Sequence, residues 1–238
     1  MRNLKSIIAA GGLGTRLQNF RGNQSTKILL DVLGIPMINR QIMQLQDWGS
    51  KDFVIITNPD FEDLVKKVTT KSFPELNIEY VTQDEPKGIS HALKQAEIKC
   101  RKNENILFIL GDNFFENNPI ANSDINQFEM GSYIFTKSVN NPEEFGVAQM
   151  DDNGNLTSID EKPNNPKSDL AVVGVYIFDD TVFDKISTLS PSSRGELEIT
   201  DLCNIYVKEN TCKNFVIDGW WIDAGTPDRI LELEGKLS

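Results

Sequence analysis

Two aspartates stand where an open α/β sheet meets its ligands. Asp112 follows the apolar run NILFIL (105 to 110) in the stretch GDNFF, and Asp223 closes NFVIDGWWID (214 to 223). A carboxylate at the carboxyl end of a buried strand is placed to hold a ligand, although aspartate also caps turns. The second signal is the loop AAGGLGTRL (9 to 17). Glycines directly after a first strand let backbone N–H groups approach and point at a phosphate, and Arg16, with Lys27 beyond it, supplies positive charge. A plain tight turn is the alternative. Neither common nucleotide fingerprint is matched: G-x-G-x-x-G requires glycine where Leu17 stands, and G-x-x-x-x-G-K-[ST] does not occur.

The elements that must position these residues change character along the chain. The first half alternates strand and helix signals: strands over 5–10, 52–57, 77–83 and 105–110, helices over 37–48, 61–69 and 89–100. That order predicts βαβ units, hence a mostly parallel, Rossmann-like α/β sheet with helices on both faces. After residue 130 the runs SYIFTKSV, FGVAQM, NLTSIDEK and LAVVGVYIF follow in quick succession, with an Asn-Gly pair in the turn DDNGN. This predicts an antiparallel section. A helix over 196–209, a strand over 214–223 and a closing helix that begins at Pro227 complete the expected order.

Composition excludes several function classes. The chain has 238 residues, 39% hydrophobic and 25% charged, enough for one large core. No run approaches the roughly 18 apolar residues of a membrane span, and MRNLKSIIAAGG reaches glycines before a signal-peptide core is complete, so a cytoplasmic protein is expected. A net charge of −11 with no long basic cluster argues against a nucleic-acid partner. Cys100, Cys203 and Cys212 are odd in number and lack C-x-x-C spacing, which suits structural thiols in a reducing compartment.

GGLGTRL, Lys27 in KILLDV, IPMI, GDN, EFGV, EKP, RGELEITD and WWIDAGTP occur together and in this order from residue 5 to residue 227. This set resembles the sugar-phosphate nucleotidyltransferases. The resemblance implies a Mg²⁺-dependent reaction in which a sugar 1-phosphate oxygen attacks the α-phosphorus of a nucleoside triphosphate, with dTTP or UTP and glucose 1-phosphate favoured. Because the substrate brings the nucleophile, the protein has only to align two polyanions and neutralise them.

Residue by residue, the resemblance implies that Gly11, Gly12, Gly14, Thr15, Arg16 and Lys27 hold the triphosphate and that Gln83 and Gly88 meet the base. Phe145, Gly146, Glu161, Lys162, Val172, Gly174 and Arg194 would hold the sugar phosphate, Asp112 and Asp223 the metal. Arg16, Lys27 and Lys162 are the catalytic cations in this scheme, and His91 has a structural or base-neighbouring role rather than acid–base work. A single domain over 1–238 is expected, with a nucleotide half to residue 130 and a sugar-phosphate half from 131, compatible with a homo-oligomer.

Departures from the family pattern are specific. The stretch between Arg16 and Lys27 is one residue longer than usual, with Asn19 at a common proline position. Asp31 replaces a proline, Ile35 a lysine, and Phe145 a frequent tyrosine, so Phe145 packs without donating a hydroxyl. The chain stops soon after its final helix, so the carboxyl-terminal β-helix of some relatives is not expected. Alternatives are a cytidylyl- or guanylyltransferase of the same fold and a non-catalytic nucleotide-sugar sensor. A Rossmann-type oxidoreductase is disfavoured by the glycine spacing.

Overall fold

Alternate residues of the central strands feed two separate cores, and that alternation organises the molecule. The computed structural model describes residues 4–12, 14–17, 20 and 26–238, without the side chain of Thr15. The first half comprises β1 (Leu4–Ala9), a short hairpin of β2 (Asp31–Val32) and β3 (Ile35–Pro36), α1 (Met37–Asp47), β4 (Asp52–Thr57), α2 (Glu62–Ser72), β5 (Asn77–Thr82), α3 (Ile89–Gln95), β6 (Asn105–Leu110) and β7 (Asn113–Phe115). The second comprises β8 (Ser132–Ser138), β9 (Gly146–Met150), β10 (Leu156–Glu161), β11 (Leu170–Phe178), α4 (Val182–Ile186), α5 (Ile199–Lys208), β12 (Cys212–Val216), β13 (Trp221–Asp223) and α6 (Pro227–Leu237).

The parallel block runs β6-β1-β4-β5. Ile8, Ile55 and Ile109 pack on one face with Met37, Ile42 and Leu45 of α1, Val65 of α2 and Ile230 of α6. Ile7, Val54 and Phe108 pack on the other with Leu93 of α3, Phe183 of α4 and Leu202 of α5. Each such fully buried Ile, Leu or Phe contributes about 1.5 to 3 kcal/mol. A strand covered on both faces has no polar side to alternate, which is why 52–57 and 105–110 read as continuous apolar runs.

The two halves share one nine-stranded sheet, because β11 pairs antiparallel with β6. β11 also pairs antiparallel with β8 along its length and with β9 at Ala171. Between Val172 and Tyr176 its register against β8 shifts. A bulge of this kind releases backbone groups from the ladder and re-aims them, often beside a functional site.

Several expectations are corrected. The run 214–223 is not one strand: β12 pairs parallel with β8, while β13 leaves the main sheet and pairs antiparallel with β7. The section after residue 130 is therefore not wholly antiparallel. The helix expected over 89–100 is α-helical to Gln95 and tightens into a 3-10 turn over Ala96–Lys99, and the one expected from 196 begins at Ile199. The β2–β3 hairpin, turning through Leu33 and Gly34 at positive φ, carries no Asn-Gly or Asp-Gly signal.

Candidate active site

The loop after β1 folds over Lys27. Gly14 sits at φ +59°, and a Cβ there would stand 2.5 Å from Lys27 Cβ, so only glycine lets the loop pass this closely. Thr26 Oγ1 donates to the Gly12 carbonyl at 3.4 Å, tying the loop to the 3-10 turn Lys27–Leu29. Lys27 is thereby aimed at the carboxyl end of β6, where its ammonium pairs with Asp112 Oδ2. Burial opposes the charge on Lys27, yet Asp112 outweighs it and holds the amine above its ordinary value. Asp112 mirrors this: burial pushes its carboxyl up, and the charge and hydrogen bond of Lys27 hold it below the usual range.

Asp223 comes to the same place by another route. Cross-strand pairing of β13 with β7 sets Asp223 opposite Asn113, and the Ala224 N–H donates to the Asp112 carbonyl at 2.8 Å. Asp223 therefore does not end a strand of the main sheet, as its sequence context implied. It is carried in on a two-stranded ribbon. Burial, and then the neighbouring charge of Asp112, push its carboxyl up to about 7. The charges of Lys27, which is paired with Asp112, and of Arg229 offset the burial of Asp223 only in part, and two buried acids thus stand together. That is the donor set of a hard divalent cation, which commonly takes one or two protein carboxylates and fills its remaining positions with water and phosphate oxygens. Among the described residues no group of three or more His, Cys, Asp or Glu side chains is placed to hold a metal, so a cage built from protein ligands alone is not on offer.

Two cavities meet at this carboxylate pair. One, lined by Gly11, Gly12, Lys27, Gln83, Gly88 and Asp112, lies over the glycine loop. The other is lined by Arg16, Phe145, Glu161, Lys162, Arg194 and Asp223, with Gly146, Val172 and Gly174 also on its wall. Ile89, Leu110 and Glu196 border both, so the cavities are neighbours along one cleft. Of the residues that the family resemblance assigned to phosphate, base, sugar or metal, all whose side chains are described line one cavity or the other, except Gly14, which shapes the loop behind Lys27; His91 lines neither. Thr15 is in the same loop, but its side chain is outside the described residues. Asn19 and most of the lengthened stretch before Lys27 also lie outside them.

The walls of the second cavity have their own local logic. Lys162 directly follows β10 at φ +43°, a left-handed conformation that costs a non-glycine residue roughly 1 kcal/mol, and its N–H donates to the Phe145 carbonyl at 3.0 Å. Such strain, held in place by a neighbouring chain segment, is a common property of ligand-binding positions. Glu161 has its carboxyl raised, by burial first and the charge of Glu198 second, and Thr200 Oγ1 donates to it at 3.2 Å. Phe145 packs on Trp221 with ring centroids 5.0 Å apart. Arg194 is placed at the rim but is held by Glu196 and Glu198 at 2.8 and 3.1 Å, with Glu161 at 3.8 Å. Its charge is largely spent on those carboxylates in this state.

Asn113 is the residue that sequence reasoning passed over. It is 1% exposed. Its Nδ2 donates to Asp112 Oδ1 at 2.9 Å, while its Oδ1 accepts from the Trp221 indole at 2.7 Å and from the Gly174 N–H freed by the β11 bulge at 3.2 Å. One buried amide thus joins the carboxylate, the aromatic wall and the bulge. GDN was visible as a motif, but only the aspartate had an evident chemical task.

A nucleotidyl transferase family model matches residues 5–238 of the chain. The chain belongs to the nucleotidyl transferase family. Its relatives include the glucose-1-phosphate thymidylyltransferase of Neisseria meningitidis, 35% identical over 96% of this chain and 81% of that enzyme. They also include the low-salt glycan biosynthesis nucleotidyltransferase Agl11 of Haloferax volcanii, 33% identical over 96% of this chain and 64% of its own length. A structure from Bacillus anthracis, assigned as a glucose-1-phosphate thymidylyltransferase and solved with sucrose, matches with a TM-score of 0.86 and 37% identity, over 98% of this chain and 94% of that one. UDP-glucose pyrophosphorylase, solved with UDP-glucose, shares the fold at a TM-score of 0.83 and 22% identity. Nucleotidyltransferases of this family typically use a divalent metal, and the paired carboxylates of this nucleotidyl transferase suit one. No helix among the described residues is long and apolar enough to cross a membrane.

Proposed function

We propose that the chain transfers a thymidylyl or uridylyl group from dTTP or UTP to glucose 1-phosphate, releasing pyrophosphate. The observation that carries this reading is the meeting of two cavities at Asp112 and Asp223, with Lys27 on one side and Lys162 on the other. One cleft that places two phosphate-bearing ligands end to end, with acids at the junction, is what direct in-line attack requires.

The residues then divide the work. The Gly11–Gly12 backbone and Lys27 cradle the triphosphate, and Gln83 with the Gly88 loop meets the base. Lys162 draws the sugar phosphate toward the junction, while Glu161 accepts from sugar hydroxyls and Phe145 packs beside the ring. Arg16 lines the sugar-phosphate cavity although it belongs to the nucleotide loop, so it can reach both polyanions. Mg²⁺ on Asp112 and Asp223, when bound, would offset phosphate charge and lower the barrier to attack on the α-phosphorus. No protein nucleophile is needed.

In this scheme residues up to 130 bind nucleotide and those from 131 bind the sugar phosphate, within one domain. Cys100, Cys203 and Cys212 are free thiols, which suits the reducing cytoplasm as the working compartment, and burial pushes those of Cys100 and Cys212 up to about 12 and 11, which keeps them protonated. Pyrophosphate release, followed over a grid of nucleoside triphosphates and sugar 1-phosphates with Mg²⁺, tests the reading. Turnover should peak with dTTP or UTP and glucose 1-phosphate. Silence across the whole grid would sink the reading in favour of a nucleotide-sugar sensor.

A further inference from the structure

His91 is the chain's one histidine, and the scheme above gives it no task. It stands on the first turn of α3, with Nδ1 3.0 Å from Nε2 of Gln83, a residue that lines the first cavity. The same Nε2 donates to the Gly88 carbonyl at 3.0 Å. A backbone carbonyl can only accept, so it decides which end of the amide faces it: the nitrogen end. The second N–H of that amide is then left for His91 Nδ1, which must accept, with the neutral ring's proton on Nε2. Gln95, one turn on, donates from its amide nitrogen to the His91 carbonyl at 3.2 Å, and its longer 3.4 Å approach to His91 Nε2 sets donor against donor in this tautomer and is no hydrogen bond.

The Gly88 carbonyl is itself anchored. Gly88 lies at φ +102°, where a Cβ would meet the Leu197 carbonyl oxygen at 2.6 Å, so glycine is required for this approach. Leu197 grips the loop on both sides, its N–H donating to the Lys87 carbonyl at 2.8 Å and its carbonyl accepting from the Ser90 N–H at 3.2 Å. Gln83 is pinned at its other end by its backbone N–H, which donates to the Thr57 carbonyl at 2.9 Å. With Nε2 committed twice, the oxygen of the amide faces Gly11, 3.4 Å from the point where a Cβ of Gly11 would stand. That is the cavity of about 260 Å³ walled on its apolar side by Pro86, Ile89 and Ala92.

We propose that His91 is a positioning residue that, together with the Gly88 carbonyl, locks the Gln83 amide with its oxygen toward the nucleobase, so that the site selects a pyrimidine carrying an N–H at that edge over one carrying a lone pair. Uracil and thymine present an imide N–H there. Cytosine, of the same size, presents a ring nitrogen that would oppose the Gln83 oxygen, acceptor against acceptor. A mismatch of that kind leaves a desolvated acceptor without a donor, which discriminates more strongly than the loss of a methylene in an apolar pocket. The inference rests on the reading that this cavity holds the base of the triphosphate.

Calorimetric titration with UTP and with CTP, in Mg²⁺ and without a sugar phosphate, tests it in three proteins: wild type, His91→Leu and His91→Asn. Wild type binds UTP more tightly than CTP. His91→Leu removes the acceptor and lets the amide turn over, so the UTP to CTP preference shrinks about tenfold, the size of one misplaced hydrogen bond. His91→Asn supplies a carbonyl oxygen near the position of Nδ1 and keeps the preference within about twofold. The KM for glucose 1-phosphate and kcat at saturating UTP stay within about twofold of wild type in both variants, as a group that acts only on base orientation requires. An unchanged preference in His91→Leu, an equal loss toward both nucleotides, or failure of His91→Asn to restore the preference would overturn the role of His91. Because binding is read without turnover, a protein that prefers UTP through His91 yet releases no pyrophosphate would overturn the transfer reaction alone.

Discussion

Asp112 and Asp223 are the same side chain in the same cleft, yet one is held below the ordinary carboxylate range and the other is pushed up to about 7. The difference lies in how each is delivered. Asp112 leaves the end of β6, opposite the loop that carries Lys27, and it takes the ion pair. Asp223 arrives on the β13–β7 ribbon after that cation is already engaged, so it meets burial and the charge of Asp112 with less to offset them. Like residues in one site need not be alike: the second acid is the one that keeps the site short of positive charge, and so is the one that a divalent cation relieves most.

The comparison is most sharply tested by activity. Asp112→Asn and Asp223→Asn should each lower kcat by at least about a hundredfold, on the order of 3 kcal/mol of lost transition-state stabilisation, in steady-state assays at saturating Mg²⁺. Near-normal turnover in either would remove that residue from the metal site. If only one variant lost activity, the pair would not be acting as a unit.

Stability should then separate what activity does not. Asp112→Asn leaves the Lys27 ammonium buried without its partner and should destabilise the metal-free protein by about 3 kcal/mol in a urea melt at pH 8. Equal stability of Asp112→Asn and wild type would mean that the ion pair contributes nothing and that the asymmetry between the two acids is not electrostatic.

The cations offer a parallel contrast. Lys27→Ala should weaken triphosphate binding, and Lys162→Ala should weaken glucose 1-phosphate binding about ten- to a hundredfold while leaving triphosphate affinity nearly unchanged, as read by titration of each variant with each ligand. If Lys162→Ala weakened both ligands alike, the EKP turn would be general support for the cleft instead.

The smallest effect carries the opposite sign. The folded-state pKa of Asp223 is raised above the unfolded value, so the folded protein holds a proton that the unfolded chain releases between about pH 4 and 7. Its contribution to stability is therefore present below that window and lost as pH rises through it. Asp223→Asn should stabilise the metal-free protein by on the order of 1 kcal/mol at pH 8, after discounting for solvent screening, and change little at pH 4. Saturating Mg²⁺ should cancel the difference in favour of wild type. A melt in which Asp223→Asn is destabilised at pH 8 as Asp112→Asn is would erase the contrast on which the other tests are built.

Much of the parallel half was legible because its strands are buried on both faces and its helices on one. NILFIL could hardly be anything but a core strand, and its carboxyl end pointed to Asp112. Pro227 marked the first turn of α6. The cleft residues were legible only as a set, since no single one, Gln83 or Glu161 taken alone, differs from an ordinary loop or surface residue. The break in 214–223 was not legible. A period-two pattern says that a segment is extended but not which strand it pairs with, and here one run serves β8 in the main sheet and β7 in the ribbon.

The sequence by itself determined the alternation of elements, the glycine loop with its two cations, and the placement of Asp112 at a strand end, because burial pattern and turn chemistry are local properties of neighbouring residues. Tertiary structure alone decided that Asp223 reaches Asp112, that Asn113 joins Asp112 to Trp221 and Gly174, that Arg194 is tied among glutamates, and that His91 and the Gly88 carbonyl share one amide nitrogen. The contacts of Gly174 and Trp221 with Asn113 join segments some sixty to a hundred residues apart. Those of Asn113 with Asp112 and of Arg194 with Glu196 and Glu198 are local, as are those of the Gln83 amide, whose partners lie five and eight residues along the chain. Even there the outcome depends on Leu197, since the direction of a carbonyl is set by what packs against it rather than by the residue that bears it.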